Sequence, residues 1–409
     1  MSRYVYRITR HDPADRDVHG RYLGSEDSTG EPGPNETAYL QAVAAFAADA
    51  AVDRLTIREP SATGFNRLGT TPATADHGLT GIFPADLSGY HDGATVPLDT
   101  GLELVRAMLR ETGAWCRLEV EDTFAVHVGW DRYLYVATTV PSSPALSRTR
   151  ALGLFPERLD ASPYHFNDEC DVRQRPADDT FWARLKWFVA TGRAAILEEG
   201  FIQNASGWHR LTEDTIDGVR QHLAPRALLT VWPDLSTDIT AVMAGLPDEG
   251  LVEVVWEDRT GRITGVIADE TELPELVEEL TDARAAAVLP WDGDERTALF
   301  TAVMPDDDGV LRARWRTEPT PGDRAWARLQ TLRAGRTHTA EVIQATGDGD
   351  VLLDLGGVSA VIEAPHGAGL AETLRPGRSV AVEVCDIDMV RERVTVRPSH
   401  ADREQDPAQ

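Results

Sequence analysis

The sequence predicts a multidomain α+β protein: a duplicated α-β region over 1–167, a second α+β domain over 168–320, a five-stranded barrel over 321–398 and a disordered tail over 399–409. Three observations carry this. At 409 residues the chain exceeds the size at which one hydrophobic core keeps growing. A helix-then-strand order recurs in its first third. Near the C-terminus, five short alternating runs are separated by glycine-containing turns, the pattern of a small closed sheet.

The first region opens with an alternating strand over 4–9, followed by a Gly/Pro/Asp/Ser-rich stretch over 12–35 that reads as a long loop. A helix over 36–50 follows, since Leu40, Val43, Ala44 and Phe46 recur at the helical period, and then a strand over 53–60. The same order returns in a helix over 101–111, with Leu102, Val105, Met108 and Leu109 on one side, and a strand over 115–122. The phrases Gly81-Ile82-Phe83-Pro84 and Gly153-Leu154-Phe155-Pro156 close the two units, each followed by a Tyr-His pair (Tyr90-His91, Tyr164-His165). The second copy adds a hairpin over 124–140. Two copies of one unit can bury each other's apolar faces.

A polar linker over 168–179 leads to a long amphipathic helix expected over 181–200, whose Trp182, Leu185, Phe188, Val189 and Ile196 form a core stripe. Beyond it, ALLTVW is a strand, 238–245 a short helix, LVEVVWED and ITGVIAD a hairpin, and 272–284 a helix. ALFTAVM and VLRARW read as a further hairpin turned at Asp306-Asp307-Asp308-Gly309. That turn lacks the alternating ligands and bidentate Glu of a calcium loop.

Composition narrows function. The net charge of -27 repels polyanions at long range and favours basic protein partners. Cys116, Cys170 and Cys385 are odd in number and unpaired in spacing, which argues against a disulfide framework or a zinc knuckle. No apolar run is long enough to span a membrane, and a charged N-terminus does not resemble a secretion signal, so a cytoplasmic location is expected. No nucleophile elbow, phosphate loop, dinucleotide fingerprint or HExxH occurs, and Lys186 is the sole lysine. The spacings of His91, His127 and His165 match no metal motif, and Glu119 and Glu121 share one strand face like solvated surface acids. A non-enzymatic protein without cofactor or metal is expected.

The C-terminal runs are strands over 337–345, 350–355, 358–363, 379–386 and 393–397, with Gly335 before the first, Gly356-Gly357 at a tight turn, and Pro376-Gly377 before the fourth. An Asp-x-Asp passage then leads through Arg391 and Arg393 into the fifth. This layout, about 75 residues long, resembles the S1 RNA-binding domain family, which implies an OB barrel. The resemblance implies single-stranded RNA on the face of strands two and three, where aromatic planes stack bases. At the three positions where that pattern carries an aromatic, a second aromatic and a histidine, this sequence has Asp348, Leu352 and Glu363. Stacking contributes roughly 1–3 kcal/mol per base, so weak binding is implied. His366, Arg375, Arg391 and Arg393 are the remaining polar contacts that the resemblance implies. Residues 321–409 hold 10 arginines against 14 acidic residues.

The helix over 181–193, FWARLKWFVATGR, also echoes AWARLQTLRAGR at 325–336. The expected function is a non-enzymatic RNA-binding or translation-associated accessory protein that meets single-stranded RNA or the ribosome. The competing reading is an acidic protein-interaction module, an antitoxin- or immunity-like inhibitor or a scaffold, holding a basic protein.

Overall fold

Amphipathic helices laid on one face of a broad sheet organise the first half of the chain. The structure, a computed structural model, is described for residues 4–19, 21, 23, 34–67, 78–84, 87–129, 132–162, 174–290, 298–315, 319–364 and 375–399, without side-chain detail at 34, 62–67 and 203–205. Position 165 and the first half of the linker expected over 168–179 fall outside these residues, as does all of the expected tail beyond Ser399.

The elements run β1 (Tyr4–Thr9), α1 (Pro34–Asp49), β2 (Arg54–Arg67), β3 (Thr95–Pro97), α2 (Leu98–Leu109), β4 (Ala114–Val120), β5 (Phe124–Val128), β6 (Leu134–Thr138), α3 (Ser143–Ala151) and β7 (Phe155–Leu159). Next come α4 (Asp179–Ala190), β8 (Ile196–Arg210), α5 (Ile216–His222), β9 (Leu228–Trp232), α6 (Ile239–Ala244), β10 (Val252–Glu257), β11 (Ile263–Ala268), α7 (Leu273–Thr281), β12 (Ala285–Pro290) and β13 (Phe300–Val303). Helix α8 (Pro321–Thr331) leads into β14 (Thr337–Ala345), β15 (Val351–Asp354), β16 (Ser359–Ile362), β17 (Ser379–Asp388) and β18 (Arg393–Pro398).

Both expected helix-strand pairs form, as α1 with β2 and α2 with β4, and β2 and β4 are antiparallel neighbours. Alternation on these strands sends Leu55, Ile57, Cys116, Leu118, Phe124, Val126, Leu134 and Val136 into one core with Leu40, Val43 and Phe46 of α1 and Leu104 and Val105 of α2. The sheet is ten-stranded, in the order β13-β9-β8-β2-β4-β5-β6-β1-β7 with β3 paired to β2. The parallel β2–β8 pairing carries it across residues 61 and 203. A second, three-stranded sheet, β11-β10-β12, packs Val255 and Ile263 toward Ile196 and Trp232 and its opposite face toward α7. Among the described residues, no helix is long and apolar enough to cross a membrane.

Two elements differ from expectation. The helix expected over 181–200 stops at Ala190. Gly192 takes φ +68°, a left-handed conformation that closes the helix at little cost to glycine, and β8 begins at Ile196, paired with Trp232. Strand pairing therefore overrides the helix-forming Ala-Ala-Ile-Leu-Glu-Glu run. The hairpin expected on 310–315 also does not form: β13 pairs with β9, and the Arg314 N–H donates to the Asp92 carboxylate at 2.7 Å.

The turn itself does form, because arginines hold its acids. Arg226 and Arg312 donate to Asp306, each at 2.6 Å, and Arg312 also grips Asp308 at 2.6 Å. These hydrogen bonds, that from Arg226 foremost, hold the Asp306 carboxyl below its usual range, and Arg312 takes Asp308 down to about 2. A depressed carboxyl stabilises the fold fully above the unfolded aspartate value of about 3.9 and loses that contribution as pH falls through the folded value. Acid titration followed by NMR is thus expected to give an Asp308 midpoint near 2, with amide protection at Val310 lost over the same window. A midpoint at the ordinary aspartate value would refute the grip.

Candidate nucleic-acid interface

The barrel closes around the alternate residues of its five strands, Ala340, Val342, Val351, Leu353, Ala360, Ile362, Val382, Val384, Val394 and Val396, while Val361 between two of them is also buried. Helix α8, started by a capping box between Thr320 and Asp323, plugs one end with Leu329. The order around the barrel is β14-β15-β16-β18-β17, with β17 returning to β14. All pairings are antiparallel except β16–β18. Five strands in this order make an OB-type barrel, in which the β15–β16 face and the two flanking turns are the usual oligonucleotide surface.

On that face Leu352 lies opposite Val361, and Asp354 opposite Ser359. Thr395 and Arg393 of β18 extend the same rows. Leu352 is half-buried and offers an aliphatic surface where a base would need a π plane. Beside it, a bulge between Val342 and Gln344 turns Ile343 outward, leaving it 50% exposed. Exposed Glu363 follows β16, and its carboxylate lies 3.9 Å from the Arg393 guanidinium. The structure thus brings Leu352, Glu363 and Arg393 together.

The other expected residues sit around this face. Asp348 is exposed in the β14–β15 turn, and Arg391 in the β17–β18 turn donates to Asp388 at 3.2 Å. Arg375 is exposed in the turn whose Gly377 N–H donates to the Val342 carbonyl. His366 lies outside the described residues. Arg397, at the far end of β18, is held by Glu383 at 2.6 Å. Arginines 391, 393 and 397 therefore already face carboxylates, and a phosphate has to compete with those acids. Such exposed pairs contribute only about 0–1 kcal/mol, so competition is feasible.

One residue of the β17–β18 turn escaped sequence reading. Glu392, at φ +49°, turns away from solvent and meets the body. Arg175 Nη1 donates to its Oε1 at 3.0 Å and Arg184 Nη2 to its Oε2 at 2.6 Å. The three side chains are 2%, 4% and 9% exposed for Arg175, Arg184 and Glu392, so this is a buried triad and not a surface pair. It fastens one rim of the candidate face to α4. The only sequence signal was the FWARLKW echo that contains Arg184. Both echoing segments are helices followed by a left-handed glycine, Gly192 and Gly335, ahead of a strand, although α8 itself ends at an extended Leu332.

No protein-family model matches the chain, and no curated protein matches it. Among solved structures, it is similar to the solution structure of GSP13 from Bacillus subtilis, at 15% identity and a TM-score of 0.16. That likeness covers 19% of this chain and 63% of GSP13, under two-thirds of its length.

Proposed function

We propose that this chain is a non-enzymatic accessory protein that contacts single-stranded RNA, free or within the ribosome, through the β15–β16 face of its C-terminal barrel, while its acidic body makes protein contacts. The supporting observation is the closed barrel with its one parallel β16–β18 pairing, which sets Leu352 and Arg393 on the face where OB barrels take oligonucleotides. Binding is weak, because the face is aliphatic and its arginines are neutralised by neighbouring acids.

Fluorescence anisotropy of a labelled mixed-sequence RNA at low salt tests this. Affinity is expected to fall with added salt, since phosphate contacts release counterions. Arg393→Ala is expected to weaken it, and Glu363→Gln, which frees Arg393, to strengthen it. Leu352→Phe adds a stacking plane worth roughly 1–3 kcal/mol per base, hence about tenfold tighter binding. If the unmodified protein binds no RNA at low salt and Leu352→Phe gains none, the reading is wrong.

The net charge of -27 favours a second reading, an acidic module that holds a basic protein. Recovery of one basic protein in a pull-down, released by salt, without RNA affinity in the first assay, would favour it.

A further inference from the structure

The buried triad at the barrel-body junction has more donors than acceptors. Arg175 and Arg184 bring two positive charges, and Glu392 supplies one negative charge in contact with them. Four of their nitrogens, Nε and Nη2 of Arg175 and Nε and Nη1 of Arg184, are buried without a hydrogen-bond partner. The nearby acids are committed elsewhere. Asp178 caps the Phe181 N–H, and Asp323 accepts from the N–H and hydroxyl of Thr301 and from the Thr320 N–H.

Aromatic rings cover the flat faces of the guanidiniums: Phe300 at 3.6 Å and Phe188 at 4.5 Å from Arg184, and Trp326 at 5.3 Å from Arg175. A ring face attracts a cation but does not accept the in-plane N–H groups. Burial pulls both guanidiniums below their usual range, Arg184 to about 9, so the partner charges do not offset desolvation. Unmatched buried donors of this number call for an acceptor.

We propose that Arg175 and Arg184 form a binding site for a small monovalent inorganic anion of halide size, chloride under ordinary conditions, which with Glu392 completes the latch between barrel and body. The size follows from the 2% and 4% exposure of the two arginines, which leaves no route for a nucleic-acid strand or an organic anion. The negative charge follows from the donors themselves: four unmatched N–H-bearing nitrogens on two guanidiniums favour an anion over a neutral acceptor. Such an anion binds only while the barrel is docked, so it stabilises the docked state by mass action.

Two measurements on the full chain test the site together. Crystals grown in sodium bromide are expected to show an anomalous peak within hydrogen-bond distance of both Arg175 and Arg184. At constant ionic strength, replacing gluconate by chloride is expected to raise the unfolding temperature saturably, and Arg184→Met is expected to abolish that rise. A peak without a chloride-specific rise is an adventitious ion and overturns the proposal. So does a site filled by water alone, a peak elsewhere, or a rise that Arg184→Met leaves intact.

Discussion

Glu392→Ala is expected to cost about 3–5 kcal/mol of stability, a large effect for one residue of a hairpin turn. Truncation leaves Arg175 and Arg184 as two like charges 2% and 4% exposed, with no carboxylate in contact. Removing one partner of a buried ion pair is costly for that reason, whereas replacing all its members by apolar residues is often neutral. A triple variant with Met at 175, 184 and 392 is therefore expected to recover most of what Glu392→Ala loses. Urea unfolding of the two variants checks this, with barrel and body amides followed separately because multidomain chains commonly depart from two-state unfolding. A loss below about 1 kcal/mol for Glu392→Ala would mean that water reaches the arginines and the latch does not hold the barrel.

That latch explains why some of the molecule was legible in the sequence and some was not. The barrel could be read because its determinants are local: alternation on five short runs, and glycines at Gly356-Gly357 and Gly377 where the chain turns with positive φ. Helices α1 and α2 carried their period openly. Residues 191–200 failed because Ala, Leu and Glu favour helix, while the pairing of Ile196 depends on Trp232, 36 residues away. The alternation of Val310 to Trp315 reads as a strand, yet the backbone there bonds to a side chain, which no periodicity reports.

The candidate site divides the same way. Leu352, Glu363 and Arg393 could be named because the resemblance assigns positions along the barrel strands, and the observed register sets Leu352 and Arg393 on neighbouring rows of the sheet. Glu392 could not, because its partners lie 217 and 208 residues away in sequence. Its neighbours Arg391 and Arg393 are both exposed, and nothing local sets it apart from them.

Asp92→Ala is expected to loosen the other attachment between the sheet and the chain leading to the barrel, at a cost of about 3–5 kcal/mol. Asp92 is fully buried, and its two oxygens hold three donors from two distant parts of the chain. Oδ1 accepts the Glu59 N–H at 2.8 Å, and Oδ2 accepts Arg58 Nη1 at 3.0 Å and the Arg314 N–H at 2.7 Å. Glu59 sits at φ +52° where β2 bulges, a left-handed conformation that costs a non-glycine residue about 1–3 kcal/mol and persists only when its surroundings hold it. Losing the carboxylate orphans the buried Glu59 N–H, at about 1–3 kcal/mol, and the part-buried Arg314 N–H at less than that. Arg58 suffers less, because Glu119 at 2.9 Å and the Arg312 carbonyl at 2.9 Å remain. Asp92→Asn keeps one carbonyl acceptor and is expected to lose less than half as much. The decisive measurement is amide exchange at Glu59 and Arg314: both are expected to lose protection together in Asp92→Ala. Loss at only one of them would show that the bulge and the 310–315 segment are held independently, and that this carboxylate does not couple the sheet to the chain that carries the barrel.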